Sequence, residues 1–376
     1  MHVIKALLAF TFATSCALAG TTEKIAVRHD DDLCDKLWNL PVIYQNDDAS
    51  FLNEFRFTGR FHGDTYSLDS SVGADADWIV RRLRGGFKAR FFHNLEIAAE
   101  VDLDPQNADP LYQRLTDTYV AYKFSEAFKL TLGKQRAKFT LDGSTSSNEL
   151  QTLDRNNLTH NLWFTKEYVP GITACGKVGR WQYSAGIFTG GTASPEFGNF
   201  DAGNFGLISI GYDFHNFLGV KKALLRADYV YNDPNSESTF TRSFSHVGSL
   251  SFQLEENRWG LSADLSAGEG FGKQGDVWGA NVQPWFNLSK KLQLVGRYTW
   301  LQSDDSKGIR LARYDSTVTK SKGDQYNEYY LGLNYLICGQ RLKMQTGLSY
   351  VDMQNSAKSR TDYHAWTWTT GVRLSF

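Results

Sequence analysis

Six basic side chains sit at even spacings in two neighbouring stretches: Arg56 and Arg60 in FLNEFRFTGRFH (51–62), and Arg82, Arg84, Lys88 and Arg90 in RRLRGGFKARF (81–91). Lys134, Arg136 and Lys138 repeat the spacing in GKQRAKF. In an extended chain, even spacing puts such residues on one face. A guanidinium keeps its charge throughout the working pH range, and its planar fork matches carboxylates and phosphates. A row of these groups can hold anions weakly and in succession, with no bond made or broken. The acids Glu96, Glu100 and Asp102 in the next stretch, with Asp117 beyond, offer a second use. Cross-strand salt bridges would explain the same charges as structure. Both readings stand at this point.

Other chemistry finds little support. The histidines are scattered, and no H-E-x-x-H, G-x-S-x-G or P-loop occurs. A His–Ser–Asp site gathered from distant strands is the remaining enzymatic alternative. The expectation is a protein that is not an enzyme and needs no metal and no cofactor. The net charge of −1, or −2 once Lys5 leaves with a signal, gives no argument for nucleic acid. Beyond Cys16, the cysteines are Cys34, Cys175 and Cys338, with no metal or redox spacing. They read as isolated small apolar residues, with a Cys34–Cys338 bridge as the alternative.

The elements that must carry these charges are strands. HAWTWTTGVRLSF (364–376) places Trp366, Trp368, Val372, Leu374 and Phe376 on one face and Thr367, Thr369, Arg373 and Ser375 on the other. Apolar outside and polar inside is the pattern of a transmembrane β-barrel. Alternation predicts strands at 51–62, 78–91, 95–103, 113–124, 128–135, 171–178, 181–189, 204–214, 223–232, 243–254, 258–267, 276–286, 291–302, 326–337, 341–352 and 363–376. In the second strand Ile79, Leu83, Phe87, Ala89 and Phe91 are expected outward, with Arg81 breaking that face at the lipid headgroup level. Short links such as 92–94, 125–127, 179–180, 255–257, 287–290 and 337–340 alternate with long polar ones such as 64–77, 104–112, 190–203, 233–242, 304–325 and 353–362. The fold class is therefore all-β: a transmembrane antiparallel β-barrel of about 16 strands with short periplasmic turns and long external loops. An even strand number puts both termini in the periplasm.

Residues 1–19 read as a secretory signal peptide, with Lys5, an apolar centre and Ala17-Leu18-Ala19. Residues 20–49 form a periplasmic segment with a short helix in DDLCDKLWNLP, and 50–376 form the outer-membrane barrel. The longest link, 136–170, is the third external one, and Leu141, Leu150, Leu153, Leu158, Leu162, Trp163 and Phe164 show that it packs against something. It is expected to fold inward as a pore constriction; a loop folded over the mouth is the alternative. Centring the first hairpin on 64–77 places Arg60 near Arg82 and Arg56 near Arg84.

RRLRGGFKARFFHNLEIAAEVDLD (81–104), LTDTYVAYKFSEAFKLTLGKQRAKFTL (115–141), STSSNELQTLDRN (144–156), WQYSAGIFTGG (181–191) and YYLGLNYLICGQRLKMQTGLSYVDM (329–353) together resemble the phosphate-selective porins of the O and P type. The resemblance implies a 16-stranded barrel, usually a homotrimer, passing small phosphate-like anions by passive diffusion through a pore lined by arginine. It maps onto Arg82, Arg84, Lys134, Arg136 and Lys138. The chain departs from the family where PGRR often leads into the sixth strand: here Pro170-Gly171-Ile172-Thr173 stands. A C-terminal Phe376 also resembles the signal read by the outer-membrane barrel assembly machinery. Partners are then membrane lipid, small anions and that machinery, in the bacterial outer membrane. A general, cation or sugar diffusion porin and a closed structural or attachment barrel are the alternative functions.

Overall fold

The computed structural model describes residues 33–107, 109–162, 167–190, 196–198, 203–233, 242–357 and 362–376. The expected signal at 1–19, and Trp163 and Phe164, lie outside them. Sixteen strands form a ring: β1 (Leu52–Ser70), β2 (Gly73–Phe91), β3 (Leu95–Leu103), β4 (Tyr112–Ser125), β5 (Phe128–Arg136), β6 (Tyr168–Val178), β7 (Trp181–Thr189), β8 (Asn204–Asp213), β9 (Lys222–Asn232), β10 (Phe244–Glu255), β11 (Trp259–Gly270), β12 (Val277–Asn287), β13 (Leu292–Ser303), β14 (Gln325–Cys338), β15 (Leu342–Gln354) and β16 (Tyr363–Ser375). Each pairs antiparallel with the next, and β16 returns to β1 from Ala365↔Ser70 to Ser375↔Arg60. Closure leaves no barrel edge to be satisfied in lipid. The outer face is apolar, with Leu132, Ile187, Leu331, Trp366 and Trp368 exposed, while Asp64, Arg84, Lys343, Gln345 and Arg373 are buried inward.

The first hairpin departs from expectation. No loop occupies 64–77; β1 and β2 run on to a two-residue turn at Ser71–Val72. Arg60 lies opposite Arg84, His62 opposite Arg82, and Arg56 opposite Lys88. The expected pairing was thus two residues out for Arg60 and four for Arg56, which keeps the face but changes the partner. A bulge between His62 and Gly63 leaves Arg81 unpaired in the ladder. An extra residue reverses the faces beyond it. Arg81 therefore turns inward to Asp154 instead of lying at headgroup level. Ile79, expected outward, instead packs with the buried Tyr66, Leu68 and Tyr314.

Connections at one end are mostly short, as at 92–94, 126–127 and 179–180. Phe92 and His93 both adopt positive φ there, the twist a tight hairpin requires, and the Asn53 Oδ1 accepts from the His93 N–H at 2.6 Å. The sorting by length is imperfect. A helix, His215–Leu218, sits in the 214–221 link at this end, and 271–276 at the other end has only six residues.

A seventeenth strand, Val42–Gln45, lies outside the ring on the edge of β1, with Val42↔Arg56 and Gln45↔Glu54. It covers backbone that β16 is too short to reach. The Gly59 and Phe376 N–H groups each donate to the other's carbonyl at 3.0 Å, and Phe57 N–H donates to Pro41 O at 2.9 Å. The preceding helix, Leu33–Asn39, is tied by a Cys34–Cys338 disulfide to the end of β14. Reading all three cysteines as isolated residues was therefore wrong for these two, and the alternative of a Cys34–Cys338 bridge holds; Cys175 is buried outside any disulfide.

The largest apolar cluster sits inside the ring near its long-loop end, including Phe139, Leu158, Phe188, Phe205, Phe244, Leu301, Tyr326 and Met353. Here the barrel encloses a core because loops enter it, and that core positions the site.

Candidate functional site: an in-folded loop against a charged wall

The segment between β5 and β6 carries two short helices, Leu141–Ser144 and Asn157–Leu162. Its Phe139, Leu141, Leu150, Leu153, Leu158 and Leu162 are buried. Backbone taken inside a barrel still needs hydrogen-bond partners. Side chains of the inner wall supply them. Lys343 Nζ and Gln345 Nε2 donate to Leu150 O at 2.7 and 3.1 Å. Asn334 Nδ2 donates to Gln151 O at 2.8 Å, and Arg373 Nη2 to Leu153 O at 3.1 Å. Arg297 Nη1 donates to Thr152 Oγ1 at 3.0 Å and Asp154 O at 2.9 Å. Arg226 Nη2 donates to Lys138 O at 3.1 Å, and Asp264 Oδ1 accepts from the Leu141 N–H at 3.1 Å. The loop is thereby held against β9, β11 and β13–β16.

The expected basic residues divide into three groups. Arg84 is buried in a network: its guanidinium meets Asp102 at 3.2 Å, Glu100 at 3.5 Å and the Tyr168 hydroxyl at 2.5 Å. Arg114 shares Asp102 at 3.0 Å. Arg90 serves the short-turn end, with Asp47 at 2.9 Å and Glu54 at 3.5 Å. Arg56 also lies near Glu54, at 3.6 Å.

A second group reaches the loop. Arg60 Nη1 donates to Ser147 Oγ at 2.7 Å. Arg136 donates to Ser144 O at 2.6 Å and Thr145 O at 3.0 Å. Lys138 is half-buried where the loop begins, and Lys134 Nζ donates to Glu196 O. Arg82 stands 3.4 Å from His62 Nδ1 and 3.9 Å from Glu167. Glu167 gathers Arg136 and Arg155 as well, each at 3.7 Å.

Lys88 alone forms the third group: half-buried, beside Arg56 in register, and without an ion pair among the described residues. Of the acids, Glu96 accepts from the Tyr119 hydroxyl at 2.7 Å and lies 3.6 Å from Lys129. Glu100 accepts from Thr116 Oγ1 at 2.8 Å. Asp117 is half-buried on β4. Phe376 is partly exposed, its ring over Gly59, where a Cβ would overlap it.

A second loop, 304–324, with its short helix Asp315–Val318, also turns inward. Tyr314 Oη donates to Asp64 Oδ2 at 2.8 Å. The two loops meet at Asp154, which lies 2.6 Å from Arg81, 3.1 Å from Arg313 and 3.4 Å from His160. Burial opposes ionisation of Asp154, but the charges of Arg81, His160 and Arg313 overcome it and hold the carboxyl well below its usual range. Asn157 and Asn161 Nδ2 both donate to Arg310 O, at 2.9 and 3.1 Å. Glu167, Asp154, Arg155 and Arg297 were not among the expected site residues, and Arg373 was expected only on the polar face of the last strand. Asp154, Arg155 and Glu167 belong to the link between β5 and β6 and follow no strand alternation, so spacing could not pair Asp154 with Arg81, 73 residues back, or Arg373 with Asp64, 309 residues back.

A closed antiparallel barrel of sixteen strands with a loop folded inside it is the architecture of outer-membrane porins. The family model described as phosphate-selective porin O and P matches residues 55–205, from β1 into β8, and bears out over that segment the resemblance read in the sequence. Among solved structures, an anion-selective porin from Comamonas acidovorans superposes at TM-score 0.60 with 12% identity, covering 86% of this chain and 99% of its own. OprB of Pseudomonas putida gives 0.59 at 12% identity, covering 86% and 94%. The outer-membrane channel DcaP of Acinetobacter baumannii gives 0.59 at 12%, covering 89% and 99%. At such identity the likeness establishes the fold. None of the curated proteins matches the chain in sequence.

Proposed function

We propose that the protein is an outer-membrane porin through which small anions, phosphate-like among them, diffuse passively. The family match and the anion-selective porin of like fold support this reading. The observation that carries it to particular residues is incomplete compensation on the β1–β2 wall. Arg60 and Lys88 have no ion pair among the described residues, and the nearest carboxylate to Arg82 stands at 3.9 Å. Incompletely compensated cations along a lumen attract anions and disfavour cations. Arg84 and Arg90 instead belong to salt-bridge networks, so for them the structural reading holds.

Most of the loop's anchors lie on β9, β11 and β13–β16, with Arg60–Ser147 and Arg81–Asp154 tying it to β1–β2 as well, and the solute path runs along the charged wall beside these contacts. The loop 136–170 is its constriction. Long loops face the exterior, and short turns and both termini face the periplasm. The apolar outer face meets membrane lipid, and Phe376 is the signal for the barrel assembly machinery. The assembly is a homotrimer; one solved porin of like fold is described in a trimer form. No enzymatic step is required.

The Arg60→Gln/Arg82→Gln double variant is expected to lower the anion/cation permeability ratio severalfold while the barrel still inserts. Bilayer reversal potentials read this directly. A normal ratio in the inserted variant overturns the assignment of these two residues.

A further inference from the structure

We propose that the long-loop mouth holds a site for a small organic anion: one carboxylate or phosphate carried on an apolar body. This names a substrate class for the pore described above and rests on that reading.

A cavity of about 400 Å³ opens where loop 304–324, the helix Asn157–Leu162 and the upper part of β1–β2 meet. That volume falls in the range of small-molecule pockets, roughly 300–1,000 Å³. Its lining is chemically two-sided. Arg242, Arg310, Arg313 and His160 bring positive or protonatable groups, and among the described residues no carboxylate lines it. Tyr66, Ile79, Leu311 and Tyr314 bring an apolar wall, with the two tyrosine rings 4.9 Å apart.

The acids beside the lining are already engaged: Asp154 is shared among Arg81, Arg313 and His160, Asp64 accepts from the Tyr314 hydroxyl at 2.8 Å, and Asp75 accepts from the Tyr66 hydroxyl at 2.8 Å. Among the described residues Arg310 makes no ion pair and the buried Arg242 Nε has no hydrogen-bond partner. A buried donor without a partner is costly, and a ligand oxygen would relieve it. Arg313 stays 42% exposed at its side chain, so solvent reaches the cavity. A lone tetrahedral oxyanion would use the arginines and leave the tyrosine and leucine wall wetted. An anion with an aromatic or aliphatic body uses both.

The test compares phenyl phosphate with inorganic phosphate as blockers of chloride current through the full-length channel in a planar bilayer. Half-block by phenyl phosphate is expected at a concentration at least about tenfold lower, or 1.4 kcal/mol. In Arg242→Gln/Arg310→Gln its half-block concentration should rise by a similar factor. Equal block by the two phosphates in the natural channel overturns the mouth site, as does a variant that keeps the difference. Because the comparison is read from block, it decides the site whatever the channel's selectivity. A channel that prefers anions yet does not separate the phosphates refutes the mouth site alone. A channel without anion preference refutes the pore reading.

Discussion

Replacing Asp154 with Asn is expected to release the in-folded loop and raise single-channel conductance. The carboxylate joins three elements: Arg81 on β2, Arg313 on the second loop, and His160 on the loop's own helix. Arg81 and Asp154 are both largely buried, with side chains 8% and 12% exposed. Removing one partner of a buried ion pair leaves the other charge uncompensated and costs about 3–5 kcal/mol. Asn keeps the shape and one acceptor, so the loss is of charge. The effect should fall on the loop more than on the ladder, because the ring closes through backbone bonds elsewhere. The pH dependence has a definite sign. The folded-state pKa of Asp154 is depressed, so its contribution is present above the unfolded value, about 3.9. It is lost only as pH falls through the lower folded value. Conductance should therefore be steady from neutral to mildly acidic pH, and Asp154→Asn should differ from the natural channel throughout that range. Equal conductance and equal protease resistance of the loop would refute the anchoring role.

Gly59→Leu is expected to reduce sharply the fraction of chains that reach the folded barrel. Gly59 and Phe376 exchange both backbone hydrogen bonds, and the Phe376 ring lies where a side chain at 59 would start. Overpacking of this kind costs about 1–3 kcal/mol. Here it falls at the seam where the last strand meets the first, the one pairing that closes the ring. Phe376→Ala should also lower assembly. Because the two changes act on one seat, the double variant should be no worse than the worse single. Heat-modifiable mobility of membrane fractions measures the folded share. A wild-type share for Gly59→Leu would mean that the seat has no role.

The strands were legible because alternation is local: each needs only its own residues, and β3 and β7 fall where the pattern placed them. The upper part of β1–β2 was not. Thr65–Asp69 alternates as well, but with Tyr66 and Leu68 inward, continuing the face of His62 and Asp64, because loop 304–324 covers them there; on β2 the extra Arg81 reverses the faces. A rule that puts apolar residues outside fails wherever a loop enters the lumen and makes an inside core. The same blindness hid Arg81 and Ile79. The charged wall was legible as residues on a face, and its pairing was not. Arg84 and Arg82 are two residues apart in sequence, yet one is locked to Asp102 and Glu100 while the other stands 3.9 Å from Glu167. That difference depends on where the chain returns to the wall at Glu167 and Tyr168, after the loop, which spacing cannot specify. The Cys34–Cys338 bridge, closed across 304 residues, was legible only as the alternative to isolated cysteines, since spacing sets no distance between chain segments so far apart.

The most direct test is the reversal potential of the natural channel in a planar bilayer under a potassium chloride gradient. The incompletely paired Arg60, Arg82 and Lys88 predict a potential displaced toward that of chloride, and a displacement that shrinks as total salt rises and screens the wall. A potential displaced toward that of potassium would contradict the account.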